Sequence, residues 1–232
     1  MKRRNRTVSP GGTITRTVFN SRGLTTGTWV GTNDNGATST DPSGGGAAGN
    51  NMVQVSGVEY DSNVAGGDAN ATKQIAYVDS TSANNRVTTF LYDFRNRRTA
   101  TDGEIDVYEQ VTYDNLDRVV RTDRRNTTSA GNLIARSEVR FDDRGRVYQM
   151  LRYGVDPTTG VVGSALTDNT WFDASGNVIK SQPAGSSAFT KSTYDGLGRT
   201  LNIYLGYDLS DSTYSDATTI TGDSLFQQTE QT

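Results

Sequence analysis

A short pattern that returns five times between Tyr92 and Leu205 constrains the fold of this chain more than any other feature. Each copy has an aromatic residue, then Asp, two variable residues, a turn-permissive residue, and usually Arg. The position four residues after the aromatic is Gly, Asn or Asp, the residue types for which a left-handed backbone costs least. Asp after the aromatic favours a turn, because its side chain can accept a hydrogen bond from the backbone two residues on. Each copy therefore predicts the tip of a β-hairpin.

The residues that define the five tips share these roles in the turn, and we interpret them as a structural repeat motif. They are Tyr92, Asp93 and Arg97; Tyr113, Asp114 and Arg118; Phe141, Asp142, Gly145 and Arg146; Phe172, Asp173 and Gly176; and Tyr194, Asp195, Gly198 and Arg199. The recurring Arg can pair with the Asp of its tip or stack on its aromatic ring. A weaker copy begins at Phe19, and a degenerate copy begins at Tyr60, where Val64 takes the place of the turn former.

The segments that flank the tips alternate in character, which indicates strands with one buried face. Examples are residues 136–141 and 146–151, on the two sides of one tip. Further turn-forming stretches lie between successive tips, at 102–103, 126–132, 156–160 and 183–185. A unit of this kind cannot bury its apolar face without a neighbour. We therefore predict an all-β fold of repeated antiparallel hairpins in an open, twisted sheet.

Three of the tips resemble the YD-repeat family, the Rhs-type repeats of bacterial polymorphic toxins and of teneurin-like surface proteins. The resemblance is carried by Tyr194-Asp195-Gly196-Leu197-Gly198-Arg199, by Phe172 to Val178 and by Phe141 to Val147. It implies part of a β-shell within a larger secreted or cell-surface protein. The implied partners are further repeats of that protein, with either an enclosed C-terminal toxin domain or a cell-surface carbohydrate. The self-cleaving core segment of shell-forming members is absent, and Asp41-Pro42 and Asp156-Pro157 are interpreted as ordinary turns.

Composition divides the chain into four parts. Residues 1–12 are a basic, flexible N-terminus without the apolar stretch of a signal peptide, and residues 13–91 hold degenerate repeats with a Gly/Ser-rich loop at 31–51. Residues 92–206 are the YD-repeat region. Residues 207–232 are polar, and we expect them to be disordered or a truncated unit, although Leu225-Phe226-Gln227 resembles the start of a strand.

Catalysis finds little support, because the chain has no His and no Cys. The usual general base, the thiol nucleophile and the commonest zinc ligands are therefore missing. The tip carboxylates recur in every unit, whereas a catalytic group is needed once, so turn formation is favoured. Polar loops at 33–36 and 68–70 place oxygen ligands close together but match no calcium motif. We expect no enzyme activity, no cofactor and no metal.

Charge and hydropathy bear on the partners. A net charge of −3 gives no electrostatic case for nucleic acid, and no segment has the length and apolar character of a membrane span. Exposed aromatic residues such as Trp171 could form a sugar-binding platform, although packing on a neighbouring hairpin is the more common role of such rings. The sequence thus leaves two functions open: a structural segment of a shell or scaffold wall, and a carbohydrate-binding or adhesion module.

Overall fold

The structure is a computed structural model, and it describes residues 4–64, 66–207 and 217–230. These residues contain sixteen strands: β1 (Arg6–Val8), β2 (Ile14–Phe19), β3 (Thr25–Gly31), β4 (Val53–Tyr60), β5 (Ala71–Ala76), β6 (Arg86–Tyr92), β7 (Arg98–Asp102), β8 (Val107–Tyr113), β9 (Val119–Asn126), β10 (Leu133–Phe141), β11 (Val147–Val155), β12 (Val162–Phe172), β13 (Val178–Gln182), β14 (Ala188–Tyr194), β15 (Thr200–Tyr207) and β16 (Ser224–Glu230). Strand order is sequence order, and paired strands are antiparallel. The predicted fold class, an all-β open sheet of hairpins, is confirmed.

The chain forms two compact units. One comprises Met1–Gln110 with Asn126–Ser129, and the other comprises Val111–Arg125 with Ala130–Thr232. Buried side chains are few in both. In the first unit they include Ile14, Met52, Phe90, Ala100 and Tyr108, and in the second Leu133, Leu151, Ile179, Phe189 and Tyr204. With 33% hydrophobic residues, neither unit builds a thick core, so hydrogen bonds and ring contacts between hairpins carry much of the specificity.

A β-bulge follows every tip whose strand pairing is described in full. In the hairpin β10–β11, Phe141 pairs with Val147, whereas Arg140 pairs with Gln149, so Tyr148 is the extra residue. The same shift occurs in five other hairpins, at Val18/Phe19, Glu59/Tyr60, Leu91/Tyr92, Trp171/Phe172 and Thr193/Tyr194. A bulge bends its strand and increases the local twist. The repeat therefore encodes both a turn and the twist of the strands beside it.

The Gly-rich loop at 31–51 is held to the first hairpin by one carboxylate. Asp34 accepts hydrogen bonds from Nε of Arg6 and of Arg16, both at 2.6 Å, in strands β1 and β2. The hydrogen bond from Arg6 is the largest cause of a pKa for Asp34 of about 2, well below its ordinary value. The carboxylate of Asp34, in the polar loop 33–36, is therefore hydrogen-bonded to two guanidinium groups. Asp41 and Asp156, which precede prolines, both cap turns by accepting backbone N–H groups, as expected.

In the C-terminal part, two described segments contact strands of the second unit. Ser224–Glu230 forms β16 and pairs with β15, at the stretch where the sequence resembles the start of a strand. Before it, Ala217 and the side chain of Asp223 are almost completely buried, and Lys191 of β14 contacts Thr219 and Asp223. Among the described residues no helix has the length and apolar character needed to cross a bilayer.

Candidate functional site

The tip at Phe141 shows how the repeat motif builds its turn. The N–H of Asp142 donates to the carbonyl of Arg146, and the N–H of Gly145 donates to the carbonyl of Asp142, both at 2.9 Å. Gly145 has φ +81°, the left-handed conformation that the sequence predicts at this position, and Gly198 has φ +79° in the tip at Tyr194. Asn96 and Asp117 have φ +62° at the same position in the tips at Tyr92 and Tyr113. One backbone geometry therefore recurs with three different residue types.

The Asp of each tip organises the turn through both carboxylate oxygens. In the tip at Phe141, Oδ1 of Asp142 accepts the N–H groups of Arg144 and Arg146 at 2.9 Å, and Oδ2 accepts Nε of Arg146 at 2.7 Å. The backbone hydrogen bond from Arg146, with the guanidinium group, holds the pKa of Asp142 below its usual value. The same three bonds connect Asp93 with Arg95 and Arg97, Asp114 with Leu116 and Arg118, and Asp195 with Leu197 and Arg199.

The tip at Phe172 obtains the same arrangement without Arg. Asn177 takes the fifth position after the aromatic, and its N–H and Nδ2 donate to the two oxygens of Asp173, both at 2.8 Å. Burial raises the pKa of Asp173, but the hydrogen bonds from Asn177 outweigh burial and leave this pKa below its ordinary value. Gly176 has φ +101°. An amide therefore replaces a guanidinium group inside the tip.

The copy at Tyr60 has the same turn with a longer connection. The N–H of Asp61 donates to the carbonyl of Asn70 at 2.8 Å, and the N–H of Asn70 returns to Oδ1 of Asp61 at 2.9 Å. Ala69, with φ +70°, takes the left-handed position that the sequence analysis sought at Val64. The copy is therefore a tip with inserted residues. The aromatic residue followed by Asp61 identifies the copy in the sequence, but the fixed spacing does not locate its left-handed residue.

The aromatic residues of the tips make two kinds of contact with the preceding tip, and the first is a guanidinium group over a ring. Arg118 lies over the ring of Phe141 at 4.2 Å, and Arg146 lies over the ring of Phe172 at 4.4 Å. Arg146 also donates from Nη1 to the carbonyl of Asp173 at 3.1 Å. From the sequence, we expect Arg to pair with Asp or to stack on the aromatic of its own tip. Arg118 and Arg146 do both, but the ring belongs to the next tip along the chain.

The second kind of contact is a hydrogen bond from a tyrosine hydroxyl. Tyr60, Tyr92 and Tyr194 donate to the carbonyls of Thr25, Ala71 and Val178 at 3.0, 2.9 and 2.8 Å. Each acceptor is the first strand residue after the preceding tip. The residue before each acceptor is Leu24, Asn70 or Asn177, and none of these is Arg. In all three cases the preceding tip has no Arg at the fifth position after its aromatic residue; in the tip at Phe19, Arg22 lies two positions earlier and donates to Oδ2 of Asp61 at 3.2 Å.

We call these two contacts the arginine joint and the tyrosine joint. Each uses the aromatic position of one tip and the residues at the end of the tip before it. Arg118 and Arg146 are 28% and 26% exposed in their arginine joints, whereas Arg199, with no ring stacked on it among the described residues, is 76% exposed.

Two other groups that the sequence suggests as functional candidates already contact other parts of the protein. Trp171, the candidate for a sugar platform, has Lys180 Nζ 4.8 Å from its ring centroid, so a cation lies against one face of the ring. The tip aspartates have their oxygens committed to the turn. Among residues 4–64, 66–207 and 217–230 no three acidic side chains are grouped as a metal site would require. A cavity of about 450 Å³ lies beside the tips at Phe172 and Tyr194, and it is lined in part by Tyr204 and Lys191.

Comparisons with known proteins assign no family. No protein-family model matches the chain, and no curated protein matches it. Solved structures that align with it include the crystal structure of TcdB2-TccC3-Cdc42, at 11% identity and a TM-score of 0.33, over 86% of this chain and 12% of that one. The crystal structure of TcdB2-TccC3 aligns at 10% identity and a TM-score of 0.32, over 95% of this chain and 14% of that one. The chain thus spans a small fraction of these proteins, and at such TM-scores function has to be argued from its own residues.

Proposed function

We propose that this chain is a non-enzymatic structural segment of a repeat-built β-sheet wall in a larger secreted or cell-surface protein of the Rhs/YD-repeat type. The wall encloses or presents a toxin-like or adhesive cargo. The observation that carries the proposal is the series of joints from one tip to the next. In the second unit the tips at Tyr113, Phe141, Phe172 and Tyr194 are connected by two arginine joints and one tyrosine joint.

A structural role explains why the polar groups of the repeat are used for internal bonds. Each Asp that the sequence places after a tip aromatic is committed to its own turn, and each joint uses a side chain that would otherwise face solvent. Groups arranged in the same way in every unit hold a geometry, whereas a catalytic site needs a unique constellation. A shared geometry in successive units is what an extended wall requires, because each hairpin buries its surface only against its neighbours.

The test is the size and location of the native protein in its source. An antibody raised against residues 92–205 should detect, in immunoblots of separated cells and culture medium, a band far above the 25.1 kDa of this chain. The band should occur in the medium or be removed from intact cells by added protease. A band at 25.1 kDa that stays inside the cells would contradict both the larger protein and its location.

A second arm addresses the wall itself. If the joints connect units of a wall, then Arg146→Ala should increase the protease sensitivity of the hairpins on both sides of the joint. Asp143→Ala is the control in the same tip, because Asp143 is exposed and lies outside the ring contact, whereas Arg144 itself donates a hydrogen bond to the carbonyl of Ala174 in the next tip. Equal cleavage of the two variants would remove the support that the joints give to the proposal.

A further inference from the structure

Lys191 and Asp223 make a close contact in a site that excludes water. Nζ of Lys191 lies 2.7 Å from Oδ2 of Asp223, and the two side chains are 3% and 1% exposed. Lys191 belongs to β14, whereas Asp223 immediately precedes β16. Nζ also donates to the carbonyl of Thr219 at 2.7 Å and lies 4.6 Å from the ring centroid of Phe189. The amine and the carboxyl are therefore held together by both strands and by an aromatic wall.

A second buried lysine lies directly opposite. Lys180 of β13 pairs with Lys191 across the sheet, and its side chain is 1% exposed. Its Nζ lies 4.8 Å from the rings of both Trp171 and Phe189. Two like charges on opposing residues repel, and burial of each charge has a large desolvation cost. A reaction between Lys191 and a carboxylate would remove two buried charges and with them the desolvation cost of that pair.

We propose that Lys191 and Asp223 form an intramolecular isopeptide bond, a covalent crosslink between β14 and the segment before β16. The ammonium group of Lys191 first transfers a proton to the carboxylate of Asp223, which produces a neutral amine and a carboxylic acid. The lone pair of Nζ then attacks Cγ. One N–H bond and the C–OH bond break, the C–N bond forms, and the proton leaves with the hydroxyl group as water. No oxidant, reductant or cofactor is required.

Proximity and exclusion of water favour this step. Groups held in contact react with effective concentrations far above those in solution, and low polarity favours the neutral amine and acid over the separated charges. The carbonyl of Thr219 holds one N–H of the amine, which directs the lone pair away from that oxygen. Lys191 and Thr219 also line the cavity of about 450 Å³, which offers the released water a way out.

The test is the mass of the full-length purified protein and its tryptic map. An isopeptide bond lowers the intact mass by one water. Trypsin does not cleave after an acylated lysine, and no Lys or Arg follows Arg199. The crosslinked protein should therefore yield a single branched peptide in which residues 181–199 are joined to residues 200–232. An ion pair alone should yield three separate linear peptides, 181–191, 192–199 and 200–232, and this result would overturn the proposal.

Matched variants identify the atoms. Lys191→Arg keeps the positive charge but removes the nucleophilic amine, so its mass should equal that of its sequence, and Asp223→Ala should behave in the same way. Lys180→Arg alters the other buried lysine and should retain the branched peptide. Loss of the branch in Lys180→Arg with retention in Lys191→Arg would refute the assignment. A lighter protein whose peptides are all linear would also refute it, because an aspartate that closes on its own backbone loses water without a crosslink.

Discussion

Two neighbouring joints of the second unit connect successive tips through different chemical groups. Between the tips at Phe141 and Phe172, the guanidinium group of Arg146 covers a ring that has no polar group. Between the tips at Phe172 and Tyr194, Asn177 replaces Arg, and the ring carries a hydroxyl that bonds to the carbonyl of Val178. In these two joints Phe follows a tip that ends in Arg, and Tyr follows a tip that ends in Asn. The aromatic position therefore makes a contact between tips with either pair of residue types.

The tip at Phe172 takes part in both joints. A variant that disrupts the turn of this tip should therefore lower the free energy of unfolding more than the other variants described below. Asp173→Ala removes the acceptor of both hydrogen bonds from Asn177 and loosens the backbone whose carbonyl accepts Arg146. We expect the free energy of unfolding to fall by about 2 kcal/mol in urea titrations, because two partly buried hydrogen bonds are lost. Ser175→Ala, in the exposed part of the same tip, is the control and should unfold with the parent. If both variants unfold like the parent, the tip does not support the joints.

The next largest loss of stability is expected from a substitution at the left-handed position of a tip. Gly198→Val places a β-branched residue at φ +79° and should lower the free energy of unfolding by at least about 1 kcal/mol. Gly196, two residues earlier in the same tip, has no positive φ and no atom within 4 Å of an added Cβ, so Gly196→Val is the matched control. Thermal melting distinguishes the two variants. Equal melting temperatures would show that the turn does not depend on a left-handed residue.

The matching of joints predicts that one kind can be converted into the other. Arg146→Asn removes the stacked cation and should lower the free energy of unfolding by about 1 kcal/mol. Adding Phe172→Tyr supplies a hydroxyl toward the carbonyl of Val147, the residue that corresponds to Val178. The double variant should recover part of the loss, with a favourable coupling of about 0.5 kcal/mol in a double-mutant cycle. A coupling of zero would mean that the two joints are not interchangeable.

The smallest expected difference is in how stability changes at acidic pH. A carboxylate whose folded pKa is lowered contributes stability above its unfolded pKa and loses it as the pH falls through the folded value. For Asp34, bonded by two guanidinium groups, this window extends from 3.8 down to about 2. The pKa of Asp173, bonded by an amide, is lowered too. We expect Asp34→Asn to flatten the acid side of a melting-temperature profile more than Asp173→Asn. The reverse order would contradict the greater effect of the guanidinium groups.

Much of the fold could be predicted from the sequence because its signals are local. The Asp after each aromatic and the Gly of a tip act within six residues, so the turn and its left-handed position at Gly145 were accessible without a structure. Alternation predicted the strands on both sides for the same reason. The copy at Tyr60 was identified only as a degenerate one, because its left-handed residue is Ala69, beyond the expected spacing.

The sequence by itself determined the type of unit and its repetition, since side-chain bonds to the adjacent backbone decide a turn. Only the tertiary structure decided what each repeated group contacts outside its own turn. Arg146 contacts the ring of Phe172, which lies 26 residues later in the sequence. Lys191 of β14 contacts Asp223, which lies in the connection between β15 and β16. These pairings depend on strand register as well as on the bulge that each repeat produces. Long-range packing sets the register of a strand with its neighbours, and no spacing in a single sequence records it.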